Sequence, residues 1–390
     1  MNILFKFIGL GRKFLAICGF ILLSSVTAEA NVLVQQTPDG GLQPRLVTTA
    51  DGAVHLLYFK KRLDRPAARE GNLYYREYQA EQGRFGQPVR VSSEAFNLQT
   101  VSISRASMAI DGEGRAHVMW YLPREFEYHY ARSNPERTRF EPLRSMVTEY
   151  TDGLDAGGDV AAIGSQVALV WGAGDLTREH ERSMYARFSD DGGATFGAET
   201  MIANPDLGAC ACCSMATDFV SGEELVVAYR SAIDGTGRHM QVLHLQGVGE
   251  GITEANYAPV HELQQWEASF CPLSTNDIGF SSASDPWLVF ETKSRIVQMN
   301  LSEPGQIERV AEPFTETRQK NPTIAFDKDG NYLIAWGEAI SHSRGGRLNL
   351  RLFNAQGEVR DYQLEEEIQM QNFTFPAAAA LPGGDFLVLY

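Results

Sequence analysis

Positive charge is scarce in this chain: 34 Lys and Arg stand against 49 Asp and Glu, for a net charge of −15. So acidic a surface repels nucleic-acid phosphates and anionic lipid, and neither is expected as a partner. Helical periodicity is nearly absent too, which sets aside bundles and doubly wound folds. No long apolar run follows residue 30, so no stable membrane insertion is expected once the start of the chain is removed. No phosphate loop, dinucleotide fingerprint, nucleophile elbow or H-E-x-x-H spacing occurs. Cysteine is sparse at five residues, which makes the placement of each informative.

What is present begins with an export signal. Lys6, Arg12 and Lys13 give a basic start, residues 15–26 are apolar, and Thr27-Ala28-Glu29-Ala30 ends in small residues suited to cleavage after Ala30. Residues 1–30 are therefore expected to be a cleaved signal peptide and the mature chain to be secreted or periplasmic. Residues 31–390 contain no linker, charge block or low-complexity tract, and a single domain is expected there.

A phrase then repeats. Asp111-Gly112-Glu113-Gly114 turns into Arg115-Ala116-His117-Val118-Met119-Trp120, and Asp327-Lys328-Asp329-Gly330 into Asn331-Tyr332-Leu333-Ile334-Ala335-Trp336. Ala50-Asp51-Gly52 leads to Tyr58, and looser copies end at Trp171, Tyr229, Phe290 and Tyr390. The spacing is roughly 55 residues, a period of radial or solenoid repetition. Four short alternating strands per period select an all-β β-propeller of four-stranded blades. Seven blades fit better than six. The final blade holds only two strands, and Val32-Leu33-Val34-Gln35 is placed to complete it, so that N- and C-terminal strands close the ring. His55 and His117 occupy equivalent second-strand positions, which points to a structural role.

Ser189-Asp190-Asp191-Gly192-Gly193-Ala194-Thr195-Phe196 is the most specific motif. It resembles the Asp box of bacterial neuraminidase repeats, and with the blade pattern the chain resembles the sialidase-like, Asp-box β-propellers. Physically it is a turn: Asp191 accepts backbone N–H groups, the glycines supply positive φ, and Phe196 plugs between blades. In the family this turn faces away from the active site, so Ser189, Asp191, Gly193 and Phe196 are expected to be structural.

Blade geometry sorts the remaining candidates. Residues just before each first strand and just after each second strand meet at the mouth of the central channel. That set includes Arg45, Arg105, Asp159, Asp175, Arg230, Glu291, Lys320 and Glu338. A sialidase needs arginines to grip a carboxylate, a general acid, and a Tyr activated by a Glu. The resemblance thus implies Arg45, Arg105 and Arg230 as substrate-binding residues, Asp159 or Asp175 as acid, and Glu291 or Glu338 as base partner. The implied activity is an exo-α-sialidase-type glycoside hydrolase acting on acidic sugars. The chain departs from that pattern in two respects. Pro44-Arg45-Leu46 only partly echoes the family's Arg-Ile-Pro, and no tyrosine stands out as nucleophile.

Cys210-Ala211-Cys212-Cys213 and Cys271-Pro272 enter the first strands of neighbouring blades and are expected to meet at the same mouth. This pattern resembles a subset of exported sialidase-like propellers. Three readings are open. The first is a pair of disulfides, the simplest outcome in an oxidising compartment. The second is a copper or zinc site, and the third a redox pair. The alternative to hydrolysis is a non-hydrolytic propeller that binds a small-molecule or carbohydrate ligand near this metal or disulfide site.

Overall fold

Each Asp-Gly turn holds for the same reason. Asp111 Oδ1 accepts the backbone N–H groups of Glu113 (2.9 Å) and Arg115 (2.8 Å). Asp327 Oδ1 does the same for Asp329 (2.9 Å) and Asn331 (2.9 Å). In both turns the following glycine, Gly114 or Gly330, sits at φ +81°, where a side chain is strained. The turn sets register: Ala109 then faces His117, and Ala325 faces Leu333.

The computed structural model describes residues 31–62, 64, 70–97, 104–248, 260–303, 306–311, 317–338, 344–360, 362, 364 and 366–390. The expected leader and its cleavage site fall outside these residues. Residues Asn31–Tyr390 form one unit, and among the described residues its strands make seven sheets. The inner strands are Leu42–Thr48, Ser107–Ile110, Asp159–Ile163, Ala216–Ser221, Asn276–Ser282, Gln319–Phe326 and Ala377–Ala380. Each packs against the inner strands on either side of it, and the last against the first, so the sheets form a closed seven-bladed ring.

Five blades have four strands in simple order. Blade one is larger, because its third strand, Glu70–Gln79, also pairs with Val89–Arg90 and Phe96–Asn97. Blade seven is the mixed one: Val32–Gln35 runs parallel to Phe386–Leu389, which pairs antiparallel with Ala377–Ala380.

The aromatics that end the second strands fill the space between blades. Tyr58, Trp120, Trp171, Tyr229, Phe290 and Trp336 are all buried. Each large aromatic removes 150–250 Å² from water, worth roughly 4–6 kcal/mol as an upper estimate. The paired histidines are part of the same packing. His55 Nδ1 bonds Tyr75 Oη (2.6 Å) and His117 Nδ1 bonds Tyr130 Oη (2.7 Å), each ring stacked on its tyrosine. Burial pushes His55 down to about 4, so it is neutral at pH 7.

Candidate functional site

The starts of the inner strands converge on the central channel. Arg45, Arg105, Asp159, Ser214, Asn276 and Asn321 line one cavity of about 30 Å³, closed on one side by Phe375. A ligand pocket for a whole sugar is typically ten times larger. This cavity has room for a carboxylate-sized group. Below it a second cavity of about 200 Å³ is lined by Arg45, Asp218, Asp277 and the inner-strand residues of blades one, five, six and seven.

Charge in the channel is unevenly satisfied. Arg45 Nη1 donates to Asp277 Oδ1 at 2.7 Å, which places a salt bridge between the two cavities, while its buried Nε has no hydrogen-bond partner among the described residues. Asp277 Oδ2 also accepts from Thr323 Oγ1 (2.9 Å) and Ile324 N (3.2 Å). Arg105 rests its guanidinium on the Phe375 ring, 5.1 Å from the centroid. Burial, reinforced by repulsion from Arg45, lowers Arg105 to about 10 despite Asp277 and Asp159. Asp159 Oδ2 accepts from Thr217 N at 2.8 Å, and burial raises its pKa against the pull of Arg45. Asp218 is pushed up to about 7, first by burial and then by Asp159 and Asp277, against the Phe219 N–H and Arg45.

The other expected residues lie elsewhere. Arg230 is not with Arg45 and Arg105. It is fully buried, with Nε on Ser274 Oγ (2.6 Å), Nη1 on the Arg238 carbonyl (2.7 Å) and Nη2 on the Glu291 carbonyl. The last residue of a second strand points into the layer between blades here, and the guanidinium lies over Trp266, 4.9 Å from its centroid. Asp175 stands in a partly exposed turn, accepting from Thr177 N (2.8 Å), Thr177 Oγ1 (2.7 Å) and Arg178 Nε (2.9 Å). Those bonds hold its carboxyl down at about 2, the reverse of what a general acid requires.

Glu291 forms a buried ion pair with Lys320 at 2.7 Å. Burial still raises the Glu291 pKa over the opposing effect of that lysine. Glu338 is buried and accepts from Thr317 Oγ1 (3.2 Å) and Asn349 Nδ2 (3.0 Å). Tyr58, Tyr121 and Tyr229 are buried, and desolvation raises all three.

In the Ser189–Phe196 turn, Ser189 Oγ donates to Asp191 Oδ1 (2.8 Å) and accepts Gly193 N (2.9 Å). Thr195 N and Oγ1 bond Asp191 (2.9 and 2.7 Å). Phe196 meets Tyr130 of the neighbouring blade edge to face, at 5.3 Å.

The cysteines do meet, 59 residues apart in sequence. Cys212 and Cys271 form a disulfide with Cα atoms 6.3 Å apart. The expected second bridge is not formed: Cys210 and Cys213 are buried thiols with Sγ atoms 3.0 Å apart, and Cys210 Sγ is 3.7 Å from Cys212 Sγ. With Cys212 bonded to Cys271, two free thiols remain, fewer than a four-sulfur zinc site needs.

The cluster is braced on all sides. Ser214 N donates to the Ser274 carbonyl (3.0 Å), Met215 N to the Gly157 carbonyl (3.0 Å), and Cys210 N to the Arg230 carbonyl (2.9 Å). Lys320 Nζ holds the carbonyls of Pro272 (3.3 Å) and Leu273 (3.0 Å). Gly157, at φ +109°, lies so close to the Cys213 carbonyl that a Cβ would sit 2.6 Å from it; this glycine joins the cluster to the channel wall. Burial pushes the Cys213 thiol up, but the Cys210 thiol, Arg230 and Ser274 overcome it and bring it to about 7; Cys210 is raised well above the usual range.

No family model and no curated protein matches this chain. Solved structures do share its fold. A protein of unknown function from Dyadobacter fermentans DSM 18053 aligns with a TM-score of 0.52 at 10% identity, over 85% of this chain and 96% of that one. A Penicillium chrysogenum α-L-arabinanase, solved with arabinobiose, gives 0.50 at 11%, over 86% and 100%. The fold of this chain is a seven-bladed β-propeller. Identity this low speaks for the fold alone. Among the described residues, no helix of this propeller is long and apolar enough to cross a membrane.

Asp218 and Asp277 had escaped the sequence reading. Both lie inside inner strands, where an acidic residue reads as an ordinary outward position. Their signal was positional: like Asp159, each is within three residues of an inner strand's start.

Proposed function

We propose that this protein is a glycosidase-type propeller for an acidic sugar, holding the ligand's carboxylate between Arg45 and Arg105 at the channel mouth. The observation that carries the reading is Arg105, a guanidinium on the cavity wall with ring contact to Phe375 and, among the described residues, no hydrogen-bonded acceptor, beside the unpaired Arg45 Nε. Guanidinium groups bind carboxylates through paired N–H donors, and a buried one left unpaired is costly unless a ligand completes it. In this reading the carboxylate enters the 30 Å³ cavity and the sugar ring stays above it.

Hydrolysis would draw on Asp159. Burial raises its pKa, the direction a proton donor requires, and the Arg45–Asp277 salt bridge lies beside it. Arg230, Glu291, Glu338 and Asp175 serve in this reading as framework. Export fits the Cys212–Cys271 disulfide, a bond that persists in oxidising compartments. N-terminal sequencing of the exported chain should then begin at Asn31.

The test is calorimetric titration with N-acetylneuraminic acid and galacturonic acid against neutral arabinose and galactose, for the native protein and Arg105→Gln. Binding of at least one sugar acid, weakened tenfold or more in the variant, is the expected result. Equal binding of acid and neutral sugars, or no loss in Arg105→Gln, would overturn the reading. If binding holds, Asp159→Asn should lower turnover of a matching fluorogenic glycoside at least a hundredfold while leaving affinity nearly unchanged.

A further inference from the structure

The four cysteines among the described residues, Cys18 lying in the expected leader, are arranged as a chain of sulfurs, not as two independent bridges. Cys213 Sγ and Cys210 Sγ are 3.0 Å apart, Cys210 Sγ and Cys212 Sγ 3.7 Å, and Cys212 is bonded to Cys271. One end is fully enclosed, since Cys210 and Cys213 are buried. The other end is open: Cys271 is exposed, and next to it Phe270 presents an apolar ring that is 59% exposed. Two cations stand beside the enclosed pair. The Arg230 and Arg238 guanidiniums, both buried, neighbour the enclosed pair, and Arg230 is bonded to Ser274, which itself reaches Cys213. A structural staple needs none of this, and the disulfide already supplies one.

We infer that this cluster is a thiol–disulfide relay, passing an electron pair from the enclosed Cys210–Cys213 dithiol through Cys212 to Cys271 at the surface. The steps balance within the protein. Cys213 first gives its proton to solvent, its thiolate takes the Cys210 proton, and Cys210 sulfur attacks Cys212 Sγ. The Cys212–Cys271 bond breaks, and Cys271 leaves as a thiolate that solvent protonates. Cys213, giving up its proton to solvent, then attacks Cys210 Sγ; a Cys210–Cys213 disulfide forms and Cys212 is released as a thiol. The pair has been oxidised, and Cys212 with Cys271 reduced.

An external disulfide completes the cycle. Cys271 thiolate attacks one of its sulfurs, and Cys212 thiolate then attacks the mixed disulfide at Cys271. The external partner leaves as two thiols and Cys212–Cys271 is restored. An external dithiol runs the same steps backwards and recharges the enclosed pair. The inference does not depend on what the channel binds.

The experiment equilibrates the purified protein in glutathione buffers of graded ratio, quenches in acid, alkylates free thiols and maps them by mass spectrometry. The relay expects a two-thiol form with Cys212 and Cys271 alkylated to make up at least a tenth of the two-thiol population. It also expects the enclosed pair to oxidise at least tenfold more slowly in Cys212→Ser. Because that variant loses its bridge, Cys271→Ser is the control that needs no bridge: it should close a Cys210–Cys212 or Cys210–Cys213 bond and keep one thiol. Three outcomes would each overturn the relay. In one, Cys210 and Cys213 are the only thiols in every two-thiol sample. In another, Cys271→Ser keeps three thiols in oxidising buffer. In the last, a chelator releases near-stoichiometric zinc or copper together with four thiols.

Discussion

The channel mouth and the cysteine cluster are neighbours joined through Gly157, yet they treat buried charge in opposite ways. At the cluster two cations are saturated, since Arg230 has three acceptors and Lys320 has two carbonyls and Glu291, while Arg238 is held by Glu179 through Nη2 alone. At the mouth, Arg105 rests on a ring and Arg45 keeps an unpaired Nε. Saturated charge fixes a geometry, and the fixed object here is a set of sulfur atoms. Unsaturated guanidinium groups keep donors for an anionic group, as the proposed carboxylate clamp requires. The two regions therefore suit different work, covalent exchange in one and binding in the other.

The largest effect should come from unbalancing the saturated region. Lys320→Met leaves Glu291 buried without its cation and frees the Pro272 and Leu273 carbonyls, at a cost of roughly 3–5 kcal/mol in urea denaturation. Adding Glu291→Leu should recover most of that loss. If Lys320→Met proved neutral, the contrast between the regions would fail.

The next effect is a pH dependence in the channel. Asp218 titrates near 7 in the folded protein, above its ordinary 3.8. Its folded-state pKa is raised, so its contribution to stability is complete below pH 4 and is lost as pH climbs to 7. Asp218→Asn lacks this loss. It should match the native protein near pH 4 and exceed it above pH 7, by an amount on the order of 2 kcal/mol. A difference independent of pH would show that desolvation of Asp218 is not the cause.

The smallest effect is also the sharpest in sign. Arg105→Met, which removes an unpaired cation, should raise stability without ligand by about 1 kcal/mol. Destabilisation instead would mean that Arg105 has partners like those at the cluster, and the proposed carboxylate clamp would fail.

Much of this was legible in the residues. The Asp-Gly turns at Asp111 and Asp327 announced the blades, because an aspartate three residues ahead of a left-handed glycine has few other uses. The reach of Val32–Gln35 to the last blade followed from counting strands, and the meeting of Cys271 with Cys210–Cys213 followed from placing both before inner strands. What could not be read depended on fractions of a turn in direction. Arg230 ends a second strand, as the sorting rule required, but its side chain leaves the rim and enters the layer between blades. Asp218 and Asp277 line the channel, a surface neither core nor open solvent, so alternation misassigns them. Which cysteines bond is decided by a Cα separation of 6.3 Å, and no spacing in the sequence encodes it.

The seam between Val32–Gln35 and Phe386–Leu389 has a temporal consequence. Its partners stand about 350 positions apart, and Asn31 reaches Asp385 across 354. Contacts so remote along a polymer come together late, after local hairpins have formed. The clasp therefore completes the ring last, and the central channel is enclosed only when the two ends of the chain have paired.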